Sequence, residues 1–547
     1  MNSVAVSPVA GVERALVLVT GWKTGGGVET RNARRKAGSP LESAPHSAWD
    51  EDNGSLRESH KAGDYHPMWR RIGWRARRRG AAGVAVAALL VAAGAVRGAD
   101  RNTPLDEYVK APDSKYRYQF VKEERRKGLA FSLIEMTSQA WRTAAEVDRP
   151  VWKHWVCVYR PERVQSETAL LLIGGGRNDG RQPRLSRTLA AIAQGTNSVV
   201  SELRMVTNQP LTFAGDAKGP RVEDELVAYT WDRYLKTGDS TWPARLHMTK
   251  SAVRAMDTIT SFLAGLPGGG VKVDRFVVAG GSKRGCTTWT TAAVDPRVVA
   301  IAPLVIDVLN LEKSMRHHYR AYGFWAPAIR DYFDMKIMDH MGSREFQELM
   351  KIEEPYEYRE RFTMPKFIVA SAGDQFFLPD SSQFYYDDLP GEKHLRYVPN
   401  SDHSLDETDA VQSLAAFYDS VLKGEQRPRY SWEFAADGSI RVRTQDRPRA
   451  VKLWQATNPA ARDFRLEAVG KIYRSRDLEP EPDGSYAGRV EKPAKGWTAF
   501  FVELTYARAS KTPFKFTTGV RVVPDTLPYP EPQPGQTRMG PEPMRKK

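Results

Sequence analysis

The 547-residue sequence predicts an α/β fold: a mostly parallel sheet with a helical lid insertion, followed by a small C-terminal all-β, sandwich-like domain. Three observations predict it. Between about Asp100 and Gly424, short apolar strands alternate with helical periodicity, the pattern of a parallel sheet covered by helices. One of those strands, Phe276-Val277-Val278-Ala279, runs straight into Gly280-Gly281-Ser282. From Pro428 to Val523 the pattern changes to short runs separated by turns such as 436–439 (Ala-Asp-Gly-Ser) and 482–485 (Pro-Asp-Gly-Ser).

The elements follow in order. Val151–Tyr159 and Thr168–Ile173 read as strands, the second a continuous apolar run of the kind buried on both faces, and Ser198–Leu203 as a third. Met248–Leu266 places Val253, Met256, Ile259 and Leu263 at helical spacing, and the glycines from Gly268 to Gly270 stop it. Strands are expected again at Phe276–Ala279, Val299–Leu304, Phe367–Ala370 and Leu395–Val398, then a helix at about Glu407–Leu422 with Gly424 as its stop. These make up a domain over 100–424. Residues 306–365 interrupt it with a run rich in aromatics (Tyr319, Tyr322, Phe324, Trp325, Tyr332, Phe333), too long for a plain connection and read as a lid. The all-β module spans 425–524, and the Pro-rich tail 525–547 reads as disordered.

Composition narrows the class. With 41% hydrophobic, 10% aromatic and 27% charged residues the chain is neither mostly disordered, collagenous nor a multi-pass membrane protein. Two cysteines exclude a disulfide-stapled scaffold or a Cys-rich zinc module. Residues 1–67 lack apolar periodicity and read as a disordered or non-native extension. At Met68 a different pattern begins: an arginine-rich stretch to Arg79, an uncharged Ala/Val/Leu run from Gly80 to Val96, and small residues to Ala99. That is the layout of a secretory signal, with cleavage sites after Ala95 or Ala99, or of a retained single anchor. Arg70-Arg71 open the Tat route, so a periplasmic or secreted location is expected, with no stable membrane span once the signal is cut. Residues 1–99 also carry +7 of the net +15 charge, so the remainder is only mildly basic and a nucleic-acid partner is not expected.

The strongest chemical signal is Gly280-Gly281-Ser282-Lys283-Arg284-Gly285. A buried strand, a sharp glycine-containing turn and a following helix form a nucleophile elbow, which lifts a serine hydroxyl off the sheet edge beside helix N-terminal N–H groups. The usual G-x-S-x-G is imperfect here, because Arg284 stands at the second glycine position and Gly285 follows it; an anion-binding Gly-Ser-Lys turn is the alternative. A Walker A pattern is not present. The rest of the chain supplies the α/β-hydrolase-like order serine, acid, base: Asp374 follows one strand and His403 the next, 92 and 121 residues beyond Ser282. Asp307, after the strand following the elbow, is an alternative acid. Asp402 is expected to shape its turn. His317-His318 lack zinc-site spacing, so no metal and no cofactor is expected. The backbone amides of Lys283 and of Gly175 or Gly176 are candidates for an oxyanion hole. The Lys283 and Arg284 side chains are expected either to form ion pairs on the helix surface or to favour an acidic substrate.

These residues, with Thr287-Thr288-Trp289, Asp307-Val308-Leu309-Asn310, Gly373-Asp374-Gln375-Phe376, Asn400-Ser401-Asp402-His403, Trp454-Gln455-Ala456 and Ala461-Arg462-Asp463-Phe464, resemble the PhoPQ-activated pathogenicity-related protein family over about Thr103 to Pro524. The resemblance implies the α/β-hydrolase superfamily and a relation to autocrine proliferation repressor proteins. One departure is Cys286, where the family usually has Trp; it bears on pocket shape, and its pairing with Cys157 is left open. Two functions are expected in competition. One is an exported serine hydrolase (esterase or peptidase) acting on a small-molecule, peptide or glycan ester. The other is a catalytically inactive secreted signalling or binding protein on the same fold.

Overall fold

The computed structural model describes residues 102–510 and 512–542, which fall in one compact unit; the signal-like segment at 68–99 and the extension before it lie outside the described residues. The chain opens with α1 (Pro104–Lys110), whose Thr103 cap and Asp106 exchange reciprocal bonds in a capping box. It is followed by β1 (Arg117–Arg126), β2 (Leu129–Ala140), β3 (Val151–Pro161) and β4 (Thr168–Ile173). Next come α2 (Arg187–Thr196), β5 (Val200–Arg204), α3 (Glu223–Thr237), α4 (Ala244–Ala264), β6 (Arg275–Gly281), α5 (Lys283–Val294) and β7 (Val298–Leu304). The insertion holds α6 (Leu311–Tyr322), α7 (Arg330–Asp334) and α8 (Arg344–Glu353), and β8 (Lys366–Ser371), β9 (Lys393–Val398) and α9 (Ala410–Leu422) complete the domain.

The sheet order is β1-β2-β3-β5-β4-β6-β7-β8-β9, antiparallel from β1 to β5 and parallel from β5 to β9. Alternation along each strand builds two cores. Leu171, Ile173 and Val278 face the layer of α3 and α4, while Leu170, Leu172, Val277 and Ala279 face α2 and α9. The order turns back at β5-β4, and the loops after the parallel strands meet at their carboxyl ends, where α/β sites form.

The C-terminal all-β run is β10 (Tyr430–Phe434), β11 (Ile440–Thr444), β12 (Ala450–Asn458), a short α10 (Leu466–Val469), β13 (Arg474–Asp477), β14 (Tyr486–Gly488), β15 (Trp497–Tyr506), β16 (Phe514–Thr517) and β17 (Arg521–Val523). Its attachment is the new observation. β16 pairs antiparallel with β9, so β16-β15-β12-β13, with β17 on β15, extend the central sheet to 14 strands, and β10-β11-β14 form a second layer over them. Ile440 and Val442 of that layer are buried with Leu453 and Val502.

One expectation is corrected. The tail from residue 525, expected to be disordered, is ordered to residue 542 and straps the insertion. Trp325 donates its N–H to the Arg538 carbonyl (2.8 Å) and accepts from the Gly540 N–H (2.8 Å), and Glu531 pairs with Arg320 (3.0 Å). Proline removes competing N–H donors and holds the chain extended, which suits it to lie along a surface.

Candidate active site

The Gly280–Gly285 turn folds as an elbow because its glycines remove specific clashes. A Cβ on Gly280 would stand 2.6 Å from the Arg284 carbonyl oxygen, and one on Gly285 would stand 2.7 Å from Ile306 Cγ2. The close approach of helix to strand therefore falls at Gly285, which explains why the second glycine is displaced by one position. Ser282 itself has φ 57°, ψ −129°, a backbone state that a non-glycine residue holds only when its surroundings enforce it. Its N–H bonds to the Leu304 carbonyl (2.9 Å), and its own carbonyl accepts from Gly285 (2.7 Å) and Cys286 (3.2 Å) as α5 begins. The side chain is 4% exposed.

Asp374 and His403 come together from the loops after β8 and β9. His403 Nδ1 lies 3.0 and 2.8 Å from the two Asp374 oxygens, and Asp374 also accepts from the Phe376 N–H (2.8 Å). The His403 backbone N–H donates to Gln375 Oε1 (3.0 Å), and Phe376 packs on the imidazole with ring centres 4.4 Å apart. With Nδ1–H on the carboxylate, Nε2 is the basic nitrogen. It is buried with no partner among the described residues, so it makes no hydrogen bond to Ser282 Oγ here. Such bonds are often long in unliganded sites.

Asp307 is placed elsewhere. It accepts from Tyr385 Oη (2.7 Å) and Tyr397 Oη (2.5 Å), and burial pushes its carboxyl up to about 7 despite those two bonds. The structure thus gives His403 one carboxylate, that of Asp374, and closes Asp307 into a tyrosine pair. Asp402 accepts from the Ser404 N–H (2.9 Å) and hydroxyl (2.6 Å), shaping the turn before the helix.

Lys283 and Arg284 do not lie on the helix surface. Both are buried, and their partners come from the first turn of α3. Arg284 is bidentate on Glu223 (2.6 and 2.7 Å) and also donates to the Val206 carbonyl; Lys283 Nζ reaches Glu223 (3.0 Å) and Asp224 (2.9 Å). Burial pushes the Glu223 carboxyl up, but the two cations and the donors from Arg284 and Gln209 outweigh it and hold it at about 2. Arg245 of α4 donates to the Lys283 carbonyl (2.6 Å) and pairs with Glu353 of α8 (3.2 Å). Sequence reasoning missed Glu223, Asp224 and Arg245. The acidic run Glu223-Asp224-Glu225 signals a helix start but not the distant cations it meets.

Gly174–Gly176 continue β4 beside the elbow, since Ile173 registers with Gly280. Gly175 lies against Arg284, where a Cβ would be 2.8 Å from Nη2, and its carbonyl accepts from the Met205 N–H (3.0 Å).

A cavity opens over Ser282, walled by Lys283 and Cys286 of the elbow helix, by Phe376 and Phe377, and by Ile306, Leu309, Met315, Met338 and Phe346 of the insertion. The insertion therefore sits as a cover over the serine. Cys286 lines this cavity; it and Cys157 are both free thiols, buried in different cores. His317 pairs with Asp380 (3.0 Å), and His318 Nε2 accepts from the Ala326 N–H (3.1 Å). Burial pushes Asp380 up, but Arg462 and His317 override it and hold it well below the usual carboxylate range. Among the described residues no group of three or more His, Cys, Asp or Glu is placed to hold a metal, and no helix is long and apolar enough to cross a membrane.

Strand order, elbow and covered serine define an α/β-hydrolase fold. Comparison with known proteins then fixes the family. The chain belongs to the PhoPQ-activated pathogenicity-related protein family, whose pattern matches residues 105–465, as the sequence resemblance led one to expect. Autocrine proliferation repressor protein A of Dictyostelium discoideum is 37% identical over 458 residues, 78% of this chain and 92% of that protein. Solved structures with a similar fold include acetyl xylan esterase 1 from Thermoanaerobacterium sp. JW/SL YS485, with 16% identity and TM-score 0.40 over 58% of this chain and 91% of that one. Another is an acetyl xylan esterase from Paenibacillus sp. R4, with 13% identity and TM-score 0.41 over 59% and 95%.

Proposed function

We propose that this chain is an exported serine hydrolase that cleaves an ester or amide through an acyl-enzyme. The observation that carries the reading is the buried His403–Asp374 pair on the loops beside the strained Ser282 elbow. Ser282 Oγ attacks the carbonyl while His403 Nε2 takes its proton, and Asp374 holds the imidazole in the required tautomer. The tetrahedral intermediate expels an alcohol or amine, which leaves with the proton from His403. Water then repeats the sequence, with His403 as base, to release the acid and restore Ser282. The N–H groups of Lys283 and of Gly175 or Gly176 receive the oxyanion, each such donor being worth roughly 2.7–4 kcal/mol. The substrate is a small-molecule, peptide or glycan ester. Export, to the periplasm or medium and by the Tat route if the twin arginines are read, rests on the basic and apolar segment at 68–99.

A second reading has an observation of its own. The relative named a proliferation repressor is a regulatory protein by name, which favours a secreted binding protein on a hydrolase fold. Treatment of the purified exported part with a fluorophosphonate separates the two. Labelling that disappears in Ser282→Ala and falls in His403→Ala supports the hydrolase; a folded wild type that resists labelling, with or without the tail strap, favours the binding protein.

A further inference from the structure

The cavity over Ser282 has a chemical character that its place in the reaction does not by itself require. Its walls are mostly aliphatic and sulfur-bearing: Ile306, Leu309, Met315, Met338 and Phe346 are each more than nine-tenths buried, and all come from the insertion. Methionines bend to fit alkyl groups of varied shape. Charged side chains also reach the wall, but they already have protein partners. Asp224 is held by Lys283 (2.9 Å) and Tyr332 (3.1 Å), Arg245 by Glu353 (3.2 Å), and Glu354 by the N–H groups of Leu311 (2.8 Å) and Tyr356 (3.0 Å). Burial pushes Glu354 up to about 7, which fits a dry wall. One lining donor, Trp231 Nε1, is buried without a partner.

A sugar or a charged group entering this space would lose its water and find one open donor in exchange, a net cost. An alkyl chain has no such water to lose and gains by burial. We propose that the cavity is an acyl pocket, and that the preferred substrate is an ester of an aliphatic acid longer than acetic acid, whose carbonyl rests at Ser282 while the alcohol part stays outside the cover. This rests on the serine-hydrolase reading above.

The test uses p-nitrophenyl acetate, butyrate, octanoate and dodecanoate with the purified exported part, in parallel with fluorophosphonate labelling and calorimetric binding of decanol. The expected result is a kcat/KM for octanoate at least about tenfold above that for acetate, and saturable decanol binding. Met315→Trp and Met338→Trp, on different segments of the cover, each lower the octanoate-to-acetate ratio at least about tenfold and weaken decanol binding. Two variants are used so that misfolding of one does not decide the outcome. Acetate turned over as fast as or faster than octanoate by a labelled enzyme overturns the acyl pocket and leaves the hydrolase standing. Decanol binding without labelling or turnover of any ester overturns the hydrolase and the ester substrate with it, and leaves only an apolar ligand site. Absence of both decanol binding and chain-length preference overturns the proposal outright.

Discussion

The elbow and the cover above it are held by opposite means. The elbow is fixed by sheet register and by a buried ionic lock: Gly280 and Gly285 allow contact, Leu304 pins the Ser282 N–H, and Glu223 ties down Lys283 and Arg284. The cover is fixed mainly by apolar packing, with a few buried polar ties such as Arg245–Glu353 and His317–Asp380, and by a strap from the far end of the chain through backbone bonds at Trp325. The first arrangement tolerates almost no displacement, since a shift breaks charged bonds in a dry interior. The second exchanges one apolar contact for another at little cost. Under the proposed hydrolase reading, the reacting atoms would stand on the rigid region and the walls that meet substrate on the adaptable one, the division expected of a site that must be precise in one part and accommodating in the other.

Substitutions can break this contrast, and the largest effects belong to the rigid side. Ser282→Ala or His403→Ala is expected to lower ester turnover roughly 10⁴–10⁶-fold with the fold intact, measured as kcat with circular dichroism as control. Asp374→Asn should cost about 10⁴-fold, because an amide leaves His403 in the wrong tautomer, while Asp307→Asn should cost less than about tenfold. The reverse order would make Asp307 the working acid. Glu223→Gln strips a carboxylate from two buried cations and should destabilise the chain by about 3–5 kcal/mol in urea denaturation; a loss below about 1 kcal/mol would mean the lock is not what fixes the elbow.

A pH effect comes next. Asp307 is held up to about 7 in the native state, above its ordinary 3.8, chiefly by burial, so the folded chain keeps a proton that the unfolded chain releases. Its contribution is full below pH 3.8 and is lost as pH rises through about 7. Asp307→Asn should therefore flatten the fall in stability between about pH 4 and 7 by on the order of 2 kcal/mol. Unchanged slopes would show that Asp307 ionises freely. The smallest effect is expected on the adaptable side. Truncation after Pro524 removes the partners of Trp325, and should cost about 1 kcal/mol while speeding amide exchange at 323–326; exchange unchanged there would show that the cover holds itself.

Much of the parallel core was legible in the sequence. Thr168–Ile173 and the strands at Phe276, Val299, Phe367 and Leu395 are apolar because they are buried on both faces, and that burial leaves a mark on composition. Ser282, Asp374 and His403 could be singled out as candidates because each follows such a strand. The β1–β2 hairpin was not found: β1 is largely exposed or half-buried, Arg117-Tyr118-Gln119-Phe120 and Lys122-Glu123-Glu124, and its polar composition carries no clear alternation. The tail was misjudged for a related reason. Its proline-rich sequence matches both a disordered segment and a strap, and only its backbone pairing with Trp325 decides between them.

The sequence by itself determined the fold class, the chain order of the candidate serine, carboxylate and histidine, and the family, because these depend on local periodicity and on residues adjacent to strand ends. Tertiary structure alone decided which carboxylate meets His403, what holds Lys283 and Arg284, that the C-terminal strands extend the central sheet, and that the cover is apolar and strapped. Each of these is a contact between segments tens to hundreds of residues apart, as Asp374 with His403 or Glu223 with Arg284. The partner's identity in such a contact is set by how layers pack, and pattern along the chain does not record it.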